Sequence, residues 1–272
     1  MTLRLPTDRP LLVPYMTGAL TDDWTDYLLA FQEAGADAIE VGLPFSDPML
    51  DGPTIQRAAD RALSRGATIE AILTDLEAAR PALTVPIILF GYANLLLRIP
   101  VDRMTRAGVS GLIVPDLPLE ESAALEAATR AAGIDLTLLA TPATPDDRLR
   151  EICRRSRGFV YAVSVMGVTG ERTTLAPGAL DLAARLKTLL TPAPGGPQRL
   201  PVLIGFGVST PEQAAAAGRA GDGVVVGAAL MRRVLDGATP ADLRHHVAAL
   251  RAALELGVST ATPYAEISGD RR

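Results

Sequence analysis

Glu40 sits inside the apolar run Ala38-Ile39-Glu40-Val41-Gly42-Leu43, and Asp51 follows in the polar segment Ser46-Asp47-Pro48-Met49-Leu50-Asp51-Gly52-Pro53. A carboxyl in a buried strand costs several kcal/mol unless it is paired or kept protonated. Glu40 therefore reads as a functional carboxyl, with a carboxylate held in a buried network as the structural alternative. Asp51 precedes Gly-Pro, which on its own is ordinary loop and N-cap chemistry. Two glycine-bearing segments add a different signal: Gly205-Phe206-Gly207-Val208-Ser209, and Val226-Gly227-Ala228-Ala229 ahead of a short helical run, Leu230–Val234. Glycines let backbone N–H groups approach an anion, and a helix N-terminus adds partial positive charge. Together they point to a phosphorylated ligand. The polar, glycine-flanked stretch Gly167–Thr174 is long enough for a lid, and equally an ordinary surface loop.

Other chemistries are excluded by scarcity. Lys187 is the single lysine among 26 basic side chains, the two histidines are the adjacent His245 and His246, and Cys153 is alone. Neighbouring helix residues point about 100° apart, so the histidines cannot share a metal as an i, i+4 pair does. The sequence thus argues against a metal site, and the His pair reads as a partly solvated helix face. A lone cysteine forms no internal disulfide and fits a reducing, cytoplasmic setting. A net charge of −5 with 4% aromatic residues argues against nucleic-acid binding. No apolar run approaches the roughly 18 residues of a membrane helix, and the N-terminus lacks a signal-peptide core.

These residues need a scaffold, and the pattern supplies one. Eight apolar runs read as strands: Leu11–Met16, Ala38–Leu43, Pro86–Gly91, Gly111–Val114, Leu136–Ala140, Phe159–Val163, Val202–Gly205 and Gly223–Val226. Amphipathic stretches follow each in turn: Asp22–Ala34, Thr54–Arg65 with Ile69–Arg80, Val101–Ala107, Glu120–Ala132, Asp146–Arg155, Gly178–Leu190, Pro211–Ala220 and Ala241–Leu254. Thr210-Pro211 and Thr239-Pro240 place an N-cap before a first-turn proline, and Gly35, Gly66, Gly108, Gly133 and Gly158 stand where helices end. Nearly continuous apolar strands are buried on both faces. Eight units of about 34 residues match an α/β protein of the (β/α)8 TIM-barrel type, in which the loops after the strands carry the chemistry. A doubly wound sheet would want a glycine-rich dinucleotide turn after the first strand, and Tyr15-Met16-Thr17-Gly18-Ala19 is not one. The expectation is one barrel domain over residues 1–272. Within it, 1–10 form a short extension, the proline-rich 191–198 a loop on the face away from the site, and 257–272 a frayed tail.

The same residues carry a resemblance. Glu40-Val41-Gly42-Leu43-Pro44-Phe45-Ser46-Asp47-Pro48 with Asp51-Gly52-Pro53-Thr54, Tyr92-Ala93-Asn94-Leu95, Asp116-Leu117-Pro118-Leu119-Glu120-Glu121-Ser122, Gly167-Val168-Thr169-Gly170 and Gly205–Ser209 resemble the tryptophan synthase alpha chains, in order and at similar spacing from residue 11 to about 235. The resemblance implies cleavage of indole-3-glycerol phosphate to indole and glyceraldehyde 3-phosphate. It implies Glu40 as general acid/base and Asp51 as the charge answering the indole nitrogen. Phe90, Tyr92 and Ile113 would line the indole pocket, with Tyr15 and Tyr161 near the carboxylates. Gly170, Phe206, Gly207, Gly227 and Ala228 would hold the phosphate, and Thr169 would anchor a closed lid on Asp51. It further implies no cofactor in this chain and a beta-chain partner that carries pyridoxal phosphate, in an alpha2beta2 tetramer. Segments around Asp47, Pro48 and Gly167 would face that partner.

The chemistry agrees with the inventory. Breaking such a C–C bond is a retro-aldol step, which usually needs a lysine Schiff base or a metal. Protonation at indole C3 turns the ring itself into the electron sink, so two positioned carboxyls suffice. Glu40 is then expected to titrate high in its apolar strand, and Asp51 to stay ionised in a wetter loop. A subunit that mainly activates its partner is the alternative, and a sister barrel, an isomerase or synthase of the same pathway, is a third. The synthase of indole-3-glycerol phosphate would need a strand-end lysine, which this chain lacks. Departures from the family pattern are Ala228 in place of the usual serine, Phe90 in place of leucine, a missing N-terminal helix before Leu11, and a first loop, Gly18–Thr21, without its usual ending.

Overall fold

The computed structural model describes residues 2–163, 177–191, 199–205 and 207–259. Eight parallel strands close in sequence order into a barrel: β1 (Leu11–Thr17), β2 (Ile39–Gly42), β3 (Ile87–Phe90), β4 (Val109–Ile113), β5 (Asp135–Ala140), β6 (Val160–Val163), β7 (Val202–Gly205) and β8 (Gly223–Val226), with β8 pairing back onto β1. This is the expected (β/α)8 TIM barrel. Nearly every strand residue is buried, because the barrel interior covers one face and a ring of helices the other.

The helices are α1 (Trp24–Glu33), α2 (Pro53–Ser64), α3 (Ile69–Ala79), α4 (Ala93–Leu96), α5 (Val101–Arg106), α6 (Ala123–Ala131), α7 (Asp146–Arg155), α8 (Pro177–Leu190), α9 (Pro211–Ala220), α10 (Ala228–Leu235) and α11 (Pro240–Ser259). Thr210 and Gln213 form a reciprocal capping box at the start of α9, and Thr239 with Asp242 does the same for α11. Gly35, Gly66, Gly108, Gly133 and Gly158 all adopt positive φ, so the helix-ending glycines are where the sequence places them.

A few details differ from the sequence reading. The four-residue α4 has no counterpart there, since one helical turn leaves no periodicity. Helix α6 starts at Ala123 rather than Glu120, and β4 starts at Val109 rather than Gly111. Helix α11 runs through Gly257 to Ser259. Leu243, Val247, Leu250 and Leu254 form one buried stripe along it, and a Cβ at Gly257 would come within 3.2 Å of the Ala215 carbonyl. The proline-rich segment 192–198, the stretch Gly167–Thr174 and residues 260–272 lie outside the described residues.

The barrel bottom is closed by an extended N-terminal strap instead of a helix. Leu3 is 8% exposed and packs where side chains are absent at Gly111 and Gly158; a Cβ on either would come within 2.6 Å of its Cδ1. The Leu3 N–H donates to Asp135 Oδ2 at 2.9 Å. Farther along, the fully buried Asp37 accepts from Arg9 (2.6 Å), Arg251 (2.9 Å) and the Leu12 N–H (2.8 Å), which ties strap, β1 and α11 together. No helix among the described residues is long and apolar enough to cross a membrane.

Candidate active site

Register brings the first two candidate side chains together. Tyr15 on β1 pairs with Glu40 on β2, and paired residues of parallel strands project to the same side, here the barrel interior. Two residues on, Gly42 leaves the room Tyr15 needs, since a Cβ there would lie 1.9 Å from the Tyr15 Oη. Gly205 does the same for Tyr161 on the opposite wall, at 2.3 Å. Both tyrosines are thus steered into the barrel mouth by glycines facing them.

The mouth holds a cavity of about 480 Å3, its opening included, and Glu40, Asp51, Gly207, Gly227 and Ala228 all line it. Tyr15, Phe90 and Tyr161 form its walls. Ile55 from the first turn of α2, Val225 from β8, and Val208 and Ser209 from the loop after β7 complete it. The sequence reading missed these four. Val225 was recoverable from strand alternation, and Val208 and Ser209 from their place beside Gly207; Ile55 reads only as a helix core residue.

Tyr92 and Ile113 stand behind the cavity rather than on its surface. Ile113 is fully buried beside Phe90, its partner across β3 and β4. Tyr92 packs against Phe45 with ring centroids 5.0 Å apart. Its hydroxyl donates to Asp51 Oδ2 at 3.3 Å and accepts the Leu50 N–H at 2.9 Å. Thr169, Gly170 and Phe206 lie outside the described residues.

The two carboxyls titrate apart. Glu40 is 3% exposed, and burial, with the negative charge of Asp51 as the second cause, pushes its pKa up to about 8. Its Oε2 has no hydrogen-bond partner among the described residues, which suits a carboxyl that keeps its proton. Asp51 is not in a wet loop, contrary to the sequence expectation. The segment from Leu43 to Gly52 folds back so that the side chain is 7% exposed. Burial raises its pKa to about 6, with the Tyr92 hydrogen bond working against that rise. Asp51 is still mainly ionised at neutral pH, for a reason the sequence did not reveal. Burial and the neighbouring carboxyls push the Tyr15 and Tyr161 phenols far up, so both stay neutral.

The glycine-bearing part of the lining suits an anion. Gly207 adopts φ +103°, a conformation that L side chains rarely take, and Gly227 caps α10 with Ala228 as its first residue. First-turn N–H groups of a helix have no intrahelical acceptor and point outward from its start. Among the described residues no lysine or arginine lines the cavity, so an anion here meets backbone and hydroxyl donors. Among the same residues no cluster of His, Cys, Asp and Glu could hold a metal.

Comparison with known proteins places this geometry in context. A family model described as tryptophan synthase alpha chain matches residues 3–261. The alpha chain of Gloeobacter violaceus is 45% identical over 227 residues, covering 81% of this chain and 79% of that one. That of Citrifermentans bemidjiense is 47% identical over 209 residues, 75% of each. Among solved structures, Mycobacterium tuberculosis tryptophan synthase superposes with a TM-score of 0.81 at 36% identity, covering 91% of this chain and 93% of that one. The alpha subunit from Legionella pneumophila strain Paris gives 0.79 at 30% identity, with the same coverage.

Proposed function

This chain belongs to the tryptophan synthase alpha chain family, and on that premise we propose that Glu40 carries the protons and Asp51 the counter-charge of its reaction. The reaction is the lyase cleavage of indole-3-glycerol phosphate to indole and glyceraldehyde 3-phosphate, in tryptophan biosynthesis. The alpha chain itself holds no cofactor. It assembles with a beta chain, which contains pyridoxal phosphate, in an alpha2beta2 arrangement.

One observation supports the roles above all others: a solvent-sealed carboxyl, Glu40, with an unpartnered Oε2, shares one cavity with a second buried carboxyl. In the first step protonated Glu40 gives its proton to indole C3. The ring becomes iminium-like, and ionised Asp51 answers the positive charge at the ring nitrogen. Glu40, now a carboxylate, takes the proton of the side-chain hydroxyl on the carbon attached to C3. The C–C bond breaks, its electron pair restores the aromatic indole, and the hydroxyl-bearing carbon becomes the aldehyde. Glu40 ends protonated, as it began.

Phe90, backed by Ile113, forms the indole wall, and Tyr92 acts through Asp51. Tyr15 and Tyr161 exclude water around the carboxyls. Gly207, Gly227 and Ala228 receive the phosphate, joined in this proposal by Phe206 and Gly170, while Thr169 closes onto Asp51. The chain works as a single barrel domain in the cytoplasm. Indole release by the purified chain, with and without a cognate beta chain, tests the assignment. Wild-type release accelerated by the partner, strongly reduced in Asp51→Asn and lost in Glu40→Gln, is expected; no release under either condition contradicts it.

A further inference from the structure

Ala228 leaves the anion wall without a side-chain hydroxyl at the start of α10, yet the cavity contains another. Ser209, two residues beyond Gly207, lines the same cavity. Its Oγ is sealed from solvent and has no hydrogen-bond partner among the described residues. Burying an unpaired hydroxyl is unfavourable, and a native site that keeps one generally has a use for it.

The loop is built to hold that hydroxyl in place. The Ser209 N–H donates to Gln213 Oε1 at 2.7 Å, and Gln213 in turn belongs to the capping box that starts α9. The backbone of Ser209 is therefore fixed by a helix cap while its side chain is left over. On one side stands Gly207, whose left-handed backbone no other residue adopts easily. Gly227 and Ala228, which follow the neighbouring strand β8, line the same cavity. With no arginine or lysine on the described lining, each neutral donor counts for more toward a dianion.

We propose that Ser209 donates its hydroxyl hydrogen to the phosphate of the substrate and supplies the side-chain contact that Ala228 cannot make. This deepens the functional reading above and rests on it for the identity of the phosphorylated ligand.

The test separates the two. Calorimetric titration of the purified chain with glycerol 3-phosphate, and separately with indole, reads binding without turnover. Ser209→Ala is expected to raise the dissociation constant for glycerol 3-phosphate by about ten-fold or more, the effect of one hydrogen bond to a charged group, and to leave that for indole unchanged. Ser209→Thr, which keeps the hydroxyl, should retain most of the affinity. Ala228→Ser should tighten binding, and by a larger factor in the Ser209→Ala background than in the wild type. An unchanged constant in Ser209→Ala, or equal gains from Ala228→Ser in both backgrounds, overturns the inference. Loss of indole-3-glycerol phosphate cleavage with Ser209-dependent phosphate binding intact would instead fault the functional reading.

Discussion

Tyr92 and Asp51 are joined by a 3.3 Å hydrogen bond across two strand-end loops, and the same phenol accepts the N–H of Leu50. One side chain thus fixes both the Asp51 carboxyl and the backbone next to it. The bond favours the ionised form of Asp51 and offsets part of the rise that burial imposes.

Removing it should move that balance in a known direction. In Tyr92→Phe the Asp51 pKa climbs from about 6, so less of it is ionised at mildly acidic pH. The acid limb of kcat/KM is expected to shift upward by about half to one pH unit. The loss of rate should be larger at about pH 6 than at about pH 8, as a pH–rate series would show.

Glu40 makes the opposite prediction for stability. Its pKa rises from the ordinary glutamate value of 4.5 to about 8 in the folded chain. The folded state therefore binds a proton that the unfolded state releases. That contribution is complete below about 4.5 and is lost as pH rises through about 8. Glu40→Gln carries no such loss. Its melting temperature should exceed that of the wild type by more at about pH 9 than at about pH 5. Thermal unfolding at the two pH values measures the difference.

Leu3 is the plug of the barrel bottom, buried against the bare backbone of Gly111 and Gly158. Truncation to alanine should cost about 2–4 kcal/mol by opening a cavity there. Because Leu3 lies at the end of the barrel away from Glu40, KM should not move. Denaturant unfolding beside steady-state kinetics separates the two effects.

The scaffold was legible in the sequence, because strands buried on both faces announce themselves as unbroken apolar runs. Glu40 was legible for the same reason: a charged residue in such a run has few excuses. Asp51 was half legible. Its position was evident, but its burial depends on how residues 43–52 fold back, which no local pattern encodes. The family resemblance puts Tyr92 on the pocket wall with Phe90; only the three-dimensional path of the loop puts it behind Asp51. Leu3 in a polar-looking strap, and Ser209 with its unspent hydroxyl, were invisible for similar reasons. Each takes its meaning from glycines or donors distant in sequence.

The central claim is that one carboxyl must be protonated and the other ionised for cleavage. The pH dependence of kcat/KM for indole-3-glycerol phosphate, measured on the complex with its beta chain, tests it most directly. A bell with limbs near 6 and 8 is predicted from the two buried groups, with activity abolished across the whole range in Glu40→Gln. Near-normal turnover by Glu40→Gln, or a wild-type profile with no alkaline limb, would contradict the account.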